Sequence, residues 1–257
     1  MTTVFIISAP SGSGKSTLVN RVRELVPGLE FSVSYTTRQP RGKEQNGKEY
    51  FFVSRTEFEA MIAKGEFLEY ADVFGNYYGT AARFLHDAQK NGRDLLLDID
   101  VQGAAQIKAK IRDAASIFIL PPDRLQLERR LRDRGLDPDP VIQRRLAAAA
   151  REIENYSKYD YILVNDDLKE SVKALQAILL AERLKHSAEP ATDQTQTQCF
   201  EIAERCRRAN MEERLQPIIA SFAQPTHSEL ITKVLALFAT AAKWLGLMLY
   251  FVRHAAS

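Results

Sequence analysis

Ala9 to Ser16 reads A-P-S-G-S-G-K-S and follows directly on the apolar run Val4–Ile7. Such a β-branched and aromatic run predicts a buried parallel strand. The eight residues after it fit the phosphate-loop pattern G-x-x-x-x-G-K-[ST], with Ala9 at the first glycine position. Gly12 and Gly14 allow the backbone to curl until consecutive N–H groups face one anion. A helix beginning near Lys15 adds its positive end. Lys15 can reach the outer phosphates of a nucleotide, and the Ser16 hydroxyl can hold Mg²⁺. Ala9, Pro10, Ser11, Gly12, Ser13, Gly14, Lys15, Ser16 and Thr17 therefore form a candidate nucleoside-triphosphate site. The loop leaves the reaction open.

A second group lies in "TTRQPRGKEQNGKEYFF", Thr36 to Phe52. Arg38, Arg41 and Tyr50 put two guanidinium forks and a phenol in one short region, the donor set a phosphomonoester dianion needs. For the arginine pair alone, a solvated basic hairpin explains the residues equally well. A third group, "LLLDIDVQGA", ends an apolar strand with Asp98 and Asp100. Acids at that place can orient a Mg²⁺ shell, Asp98 through a water molecule.

These groups need elements to hold them. Strand candidates recur at Val4–Ile7, Leu95–Ile99, Ser116–Leu120 and Tyr161–Val164. Helical patterns lie between them at Thr17–Val26, Ala104–Lys110 and Leu125–Arg134. The alternation predicts an α/β fold with a parallel sheet flanked by helices. Phe31–Thr80 reads as short strands and turns. Arg124–Arg151 carries eight arginines on helical segments split by "GLDPDP".

At these residues the sequence resembles guanylate kinase. Thr36, Thr37, Arg38, Arg41, Glu44, Gly47, Tyr50 and Phe52 match that family's pattern, and the resemblance covers residues 1–185. It implies a phosphate-loop core, a GMP-binding insertion at about 33–83 and an arginine-bearing lid at about 124–155. It implies an enzyme moving a phosphoryl group from ATP to GMP, with Mg²⁺, and dGMP fits the same base contacts. Guanine presents N1–H and a 2-amino group side by side, and one carboxylate can accept both. Glu69 matches the residue that does so. By the same resemblance Thr80 faces O6, Ser34 contacts the base and Tyr78 the phosphate, and one of Asp98 and Asp100 reaches the guanine amino group. The lid arginines are Arg130, Arg134 and Arg145, and Asn165 lies near the adenine of the donor. A guanylate-kinase-like module that binds proteins without catalysis is the alternative. Retention of Lys15 and of the GMP-facing residues argues against it.

Composition sets bounds on the rest. A chain of 257 residues can bury a full core. A net charge of +2 gives no electrostatic case for nucleic acid. The two cysteines, Cys199 and Cys206, would lie about 10 Å apart on one helix, too far for a bridge. No charged and apolar blocks mark a signal peptide at the start. Both features point to a cytoplasmic protein. Residues 186–198 read as a polar linker, and 199–257 as a helical extension of unknown role, with helices at about Phe200–Phe222 and Ser228–Val252. Val234–Val252 holds one charge, Lys243, at its centre. A central lysine costs about 2.5–3.5 kcal/mol on membrane insertion. Packing on the rest of the chain, self-association, weak membrane contact through 228–252 and a non-native or disordered extension all remain open. Because every chemical group precedes it, residues 1–185 are expected to suffice for activity.

Overall fold

A computed structural model describes residues 2–73, 75–135, 137–185 and 194–223. Its centre is a five-stranded parallel sheet in the order β2-β7-β1-β8-β9. These strands are β1 (Val4–Ser8), β2 (Leu29–Phe31), β7 (Asp94–Asp98), β8 (Ala115–Leu120) and β9 (Tyr161–Val164). Unbroken apolar runs are what a sheet covered on both faces requires, and β1 and β8 are buried along their whole length. Helices α1 (Lys15–Leu25) and α7 (Leu168–Lys185) cover one face. There Phe5, Ile7, Ile117, Ile119, Tyr161 and Leu163 meet Leu18, Val22, Leu175 and Ile178.

Two elements hang from this core. The first is a four-stranded mixed sheet in the order β4-β3-β6-β5. It comprises β3 (Tyr35–Thr36), β4 (Phe51–Phe52), β5 (Phe67–Val73) and β6 (Asn76–Ala81). Helix α2 (Arg55–Ala63) packs Phe58 onto it, stacked between Phe67 and Tyr77. Helix α3 (Arg83–Lys90) returns the chain to β7, and α4 (Val101–Lys110) follows β7. The second element is the arginine-rich pair α5 (Arg124–Asp133) and α6 (Asp139–Ile153). They part at the glycine and prolines of "GLDPDP", as expected for residues that stop helices.

The chain beyond Lys185 differs from the sequence reading. Residues 194–198, read as linker, are the first turns of α8 (Gln194–Arg205). The predicted Phe200–Phe222 helix is two helices, α8 and α9 (Glu212–Ala223), separated by a short 3-10 turn at Arg208–Asn210. Tertiary packing overrides the polar Q-T-Q-T-Q pattern: Ala203 is buried in the sheet's core, with Phe200 and Cys206 against it. Both cysteines are free. The remaining linker residues, 186–193, and the 228–252 run lie outside the described residues.

The first compact unit runs from Met1 to Ile219, and so includes α8 and the segment after it. The second begins at Ala220, and only its residues 220–223, the end of α9, are described. Within the first unit the segment after α8 closes the outer edge of β9. The Ile162 N–H donates to the Cys206 carbonyl (2.8 Å), and the Arg208 N–H to the Asp160 carbonyl (3.1 Å). Arg207 lies over the Tyr161 ring at 4.3 Å and donates to buried Glu182 at 3.2 Å. Glu182 also accepts from Lys185 and from the Tyr161 hydroxyl.

Ending the chain at Lys185 would therefore bare a strand edge and unpack α7. The expected loss is about 3 kcal/mol or more, for the apolar contacts and the Glu182 partner removed. Urea unfolding of the truncated and full chains measures it. Equal midpoints would show that α8 adds nothing to the core.

Candidate active site

The phosphate loop joins β1 to α1. Gly12 and Gly14 have φ of 98° and 87°, in the region that favours glycine. Both positions are also crowded. A Cβ on Gly12 would come within 2.8 Å of Leu127, and one on Gly14 within 2.3 Å of the Asn165 amide nitrogen. Helix α1 starts at Lys15 with no side-chain cap, the arrangement of a helix end offered to an anion. Ala9 packs against the core, and Pro10 and Ser13 are buried; the Pro10 carbonyl accepts from the Ser13 N–H (3.1 Å). Ser11, Ser16 and Thr17 are exposed.

Asn165 ties three parts together. Its amide donates to the Ser13 carbonyl (2.7 Å), and its backbone N–H donates to the Leu120 carbonyl (2.8 Å). Its own carbonyl accepts from Arg130 (2.9 Å). The other terminal nitrogen of Arg130 is buried without a partner. Arg145 is held by Asp137 at 3.1 Å, and Arg134 is exposed at the end of α5. Arg130 thus reaches the residue that braces the loop, while Arg145 is engaged by Asp137 and Arg134 is exposed.

Register explains the next contact. Ile7 pairs with Asp98 across β1 and β7, so Asp98 stands beside the entry to the loop. There it forms an ion pair with Lys15. Burial pulls the Lys15 ammonium down, but Asp98, with Tyr50 and Glu152 nearby, carries it above the ordinary lysine value. Asp98 also adds to the burial that raises the Tyr50 phenol.

Lys15, Ser34, Tyr50, Glu69, Tyr78, Asp98 and Asp100 line one cavity of about 210 Å³, roofed by Val73, Gly79 and Ile99. Seven residues singled out from sequence thus converge from the core and the second sheet. Glu69 sits opposite Thr80 in the β5–β6 ladder and is 4% exposed. Burial, reinforced by Asp100, pushes its carboxyl up to about 7, against an opposing pull from Thr80. The buried Thr80 hydroxyl itself makes no hydrogen bond of ordinary geometry. Asp100 has a structural task as well, because it caps α4 by accepting from Gln102 N–H (2.7 Å) and Gly103 N–H (3.0 Å).

Arg38 is held at the mouth of this cavity. It donates twice to Glu44, both at 3.0 Å, and once to the Tyr78 hydroxyl at 3.2 Å. Glu44 also accepts from the Arg41 N–H at 2.7 Å, while the Arg41 side chain is exposed and outside the cavity lining. Glu152 on α6 is a functional-site neighbour that sequence reasoning missed. Burial raises it to about 7, with Lys15 pulling it down and Asp100 pushing it up. No local motif marks it; only the packing of the lid brings it near.

Comparison with known proteins agrees with this geometry. The guanylate kinase family model matches residues 1–182. The chain is similar to the guanylate kinase of Koribacter versatilis, 57% identical over 227 residues, covering 87% of this chain and 97% of that one. A match covering 87% of the chain extends past Lys185 into α8. It is also similar to the guanylate kinase of Escherichia coli K12, 49% identical over 187 residues, or 72% and 90% of the two chains. The crystal structure of guanylate kinase from Anaplasma phagocytophilum superposes with a TM-score of 0.60 at 33% identity, covering 84% of this chain and 94% of that one.

The crowding at Gly14 makes a direct forecast. Gly14→Ala must take an unfavourable φ and displace Asn165, at a cost of about 1–3 kcal/mol in stability. Triphosphate affinity should fall at least tenfold, because the loop and its bracing move together. Calorimetric titration and urea unfolding measure the two effects, and native values in both would mean that the loop is not braced by Asn165.

Proposed function

The chain belongs to the guanylate kinase family and is an ATP:GMP phosphotransferase, and we propose that it holds GMP in the cavity between Lys15 and Glu69. The observation that carries this reading is the convergence of a guanine-matching acid, a phenol pair and the loop lysine on one cavity. ATP is the co-substrate, and the triphosphate lies along the phosphate loop. Ionised Glu69 accepts from guanine N1–H and the 2-amino group, with Thr80 offered to O6 and Ser34 to the base. Arg38, Tyr50 and Tyr78 receive the GMP phosphate at the cavity mouth, and Arg41 joins them by turning inward as the insertion closes.

The transfer is an in-line displacement. A GMP phosphate oxygen attacks the γ-phosphorus of ATP, the bond to the β–γ bridging oxygen breaks, and ADP leaves with that electron pair. No side-chain base is needed, because the nucleophile is already anionic. Lys15 leaves Asp98 for the outer phosphates, and the lid arginines Arg130, Arg134 and Arg145 converge on the transferring group and exclude water. Among the described residues no group of three or more acidic, histidine or cysteine side chains could hold a metal alone. That fits Mg²⁺, which takes one or two protein oxygens and completes its shell with phosphates and water. Ser16 would hold it directly and Asp98 through water. Bound there, the ion would neutralise charge on the β and γ oxygens.

The same contacts accept dGMP, which differs only in the ribose. Among the described residues no helix is long and apolar enough to cross a membrane. Nucleotide substrates and two free cysteines support a cytoplasmic location.

A coupled assay with ATP and each of GMP, dGMP, AMP, UMP and CMP tests the base selectivity. Turnover with the two guanine nucleotides alone is expected, and comparable turnover with AMP would remove Glu69 from the reader's role. The raised Glu69 carboxyl adds a pH dependence. Above about 7 the acid is ionised and accepts both guanine donors; below, its proton faces the 2-amino group. Inosine monophosphate lacks that amino group but shares the phosphate ionisation. The affinity ratio of GMP to inosine monophosphate should therefore rise as pH increases through about 7. A flat ratio from pH 5.5 to 8.5, an interval of roughly that group's titration, would contradict the assignment.

A further inference from the structure

Glu69 lies on β5, in the second sheet, whereas the helix behind it belongs to the core. Helix α4 buries Ala104 and Ile107 in the core. Gly103, Gln106 and Lys110 lie on a neighbouring face of that helix at i, i+3 and i+7. Each meets β5 at a different residue. Gly103 abuts the Glu69 carboxylate: a Cβ there would come within 2.4 Å of Oε2 and 2.9 Å of Cδ. The Gln106 amide closes a two-way bridge with Tyr70, donating to its carbonyl (2.7 Å) and accepting from its N–H (3.3 Å). Lys110 donates to the Leu68 carbonyl at 2.5 Å.

The strand is irregular at this place. Phe67 pairs with Ala81 and Glu69 with Thr80, so Leu68 is an extra residue in the ladder. A bulge re-aims the side chain beside it and leaves its own backbone groups unpaired. Lys110 takes up the carbonyl that the bulge frees. Three consecutive residues of β5 are thus fixed from one helix face, with the reader's carboxylate at the centre.

We infer that Gly103, Gln106 and Lys110 are positioning residues for guanine recognition, and that Gly103 is a specificity determinant because its missing side chain is the space Glu69 occupies. The inference rests on Glu69 being the guanine reader. It assigns α4 a task in selectivity besides its place in the core. The helix holds Glu69 at a fixed depth, against Gly103.

Gly103→Ala tests it. Alanine is the better helix former, so a helix with no further task would tolerate the change. The expected result is a KM for GMP raised at least about tenfold with the KM for ATP within about twofold. Because a clash can also disturb folding, Glu69→Asp is made alone and together with Gly103→Ala. The shorter acid withdraws its carboxylate from the alanine methyl. The double variant should therefore use GMP better than the product of the two single effects predicts. Strictly multiplicative effects would overturn the inference, as would an unchanged KM for GMP in Gly103→Ala. Gln106→Leu, which removes the bridge without adding bulk at Glu69, should raise the KM for GMP and spare that for ATP; equal changes in both would also overturn it. Glu69→Gln separates the two readings. Native GMP use in that variant would overturn the reader assignment itself, whatever α4 does.

Discussion

The ion pair between Lys15 and Asp98 is the contact around which the rest is arranged. It joins the end of β7 to the start of α1, and stands where the phosphate loop meets the cavity proposed for GMP. A half-buried ammonium is favoured by a partner, and in the protein alone Asp98 is that partner. Phosphates are the stronger claimant when they arrive. The pair therefore keeps the loop lysine charged and aimed while leaving it transferable. The parallel sheet makes this possible, because register places Asp98 beside Ile7, the residue before the strand gives way to the loop.

The two substrate regions are built differently. The loop is braced from within the core, by Asn165 on Ser13 and by the side chains that crowd Gly12 and Gly14. The proposed GMP side is assembled between the core and the second sheet, with Glu44 holding Arg38 and α4 bonded to β5. Polar atoms without partners mark what such a site is made for. The Ser13 hydroxyl and one Arg130 nitrogen are buried and unsatisfied, a cost that a ligand can relieve. Arg145 is engaged by Asp137 and Arg134 is exposed, so the proposed transfer requires both to turn toward the phosphates on closure.

Much of this was legible in the sequence because the signals were local. The loop motif, its strand and its helix lie in one stretch, and the apolar runs of β1, β7, β8 and β9 stand close to their observed bounds. Short or mixed elements were harder to see. Strand β2 has only three residues, all half-buried. Helix α2 was read as part of a strand-and-turn region, although Ser54 and Glu57 form a capping box that announces it. The polar run around Gln194 lacks the apolar periodicity that marks a helix; α8 extends through it while Ala203 packs into the core. Glu152, Gly103 and Gln106 act through residues distant in sequence, so only the folded chain reveals them. The extension, too, changes character with structure: α8 and Arg207 belong to the sheet's edge, not to an appendage.

A crystal structure with a bisubstrate analogue that joins adenosine to guanosine through a phosphate chain tests the central claim most directly. The account predicts the guanine edge on the Glu69 carboxylate, the Thr80 hydroxyl bonded to O6, and the Lys15 ammonium moved from Asp98 to the phosphates. A guanine bound away from Glu69, with Lys15 still paired to Asp98, would contradict it.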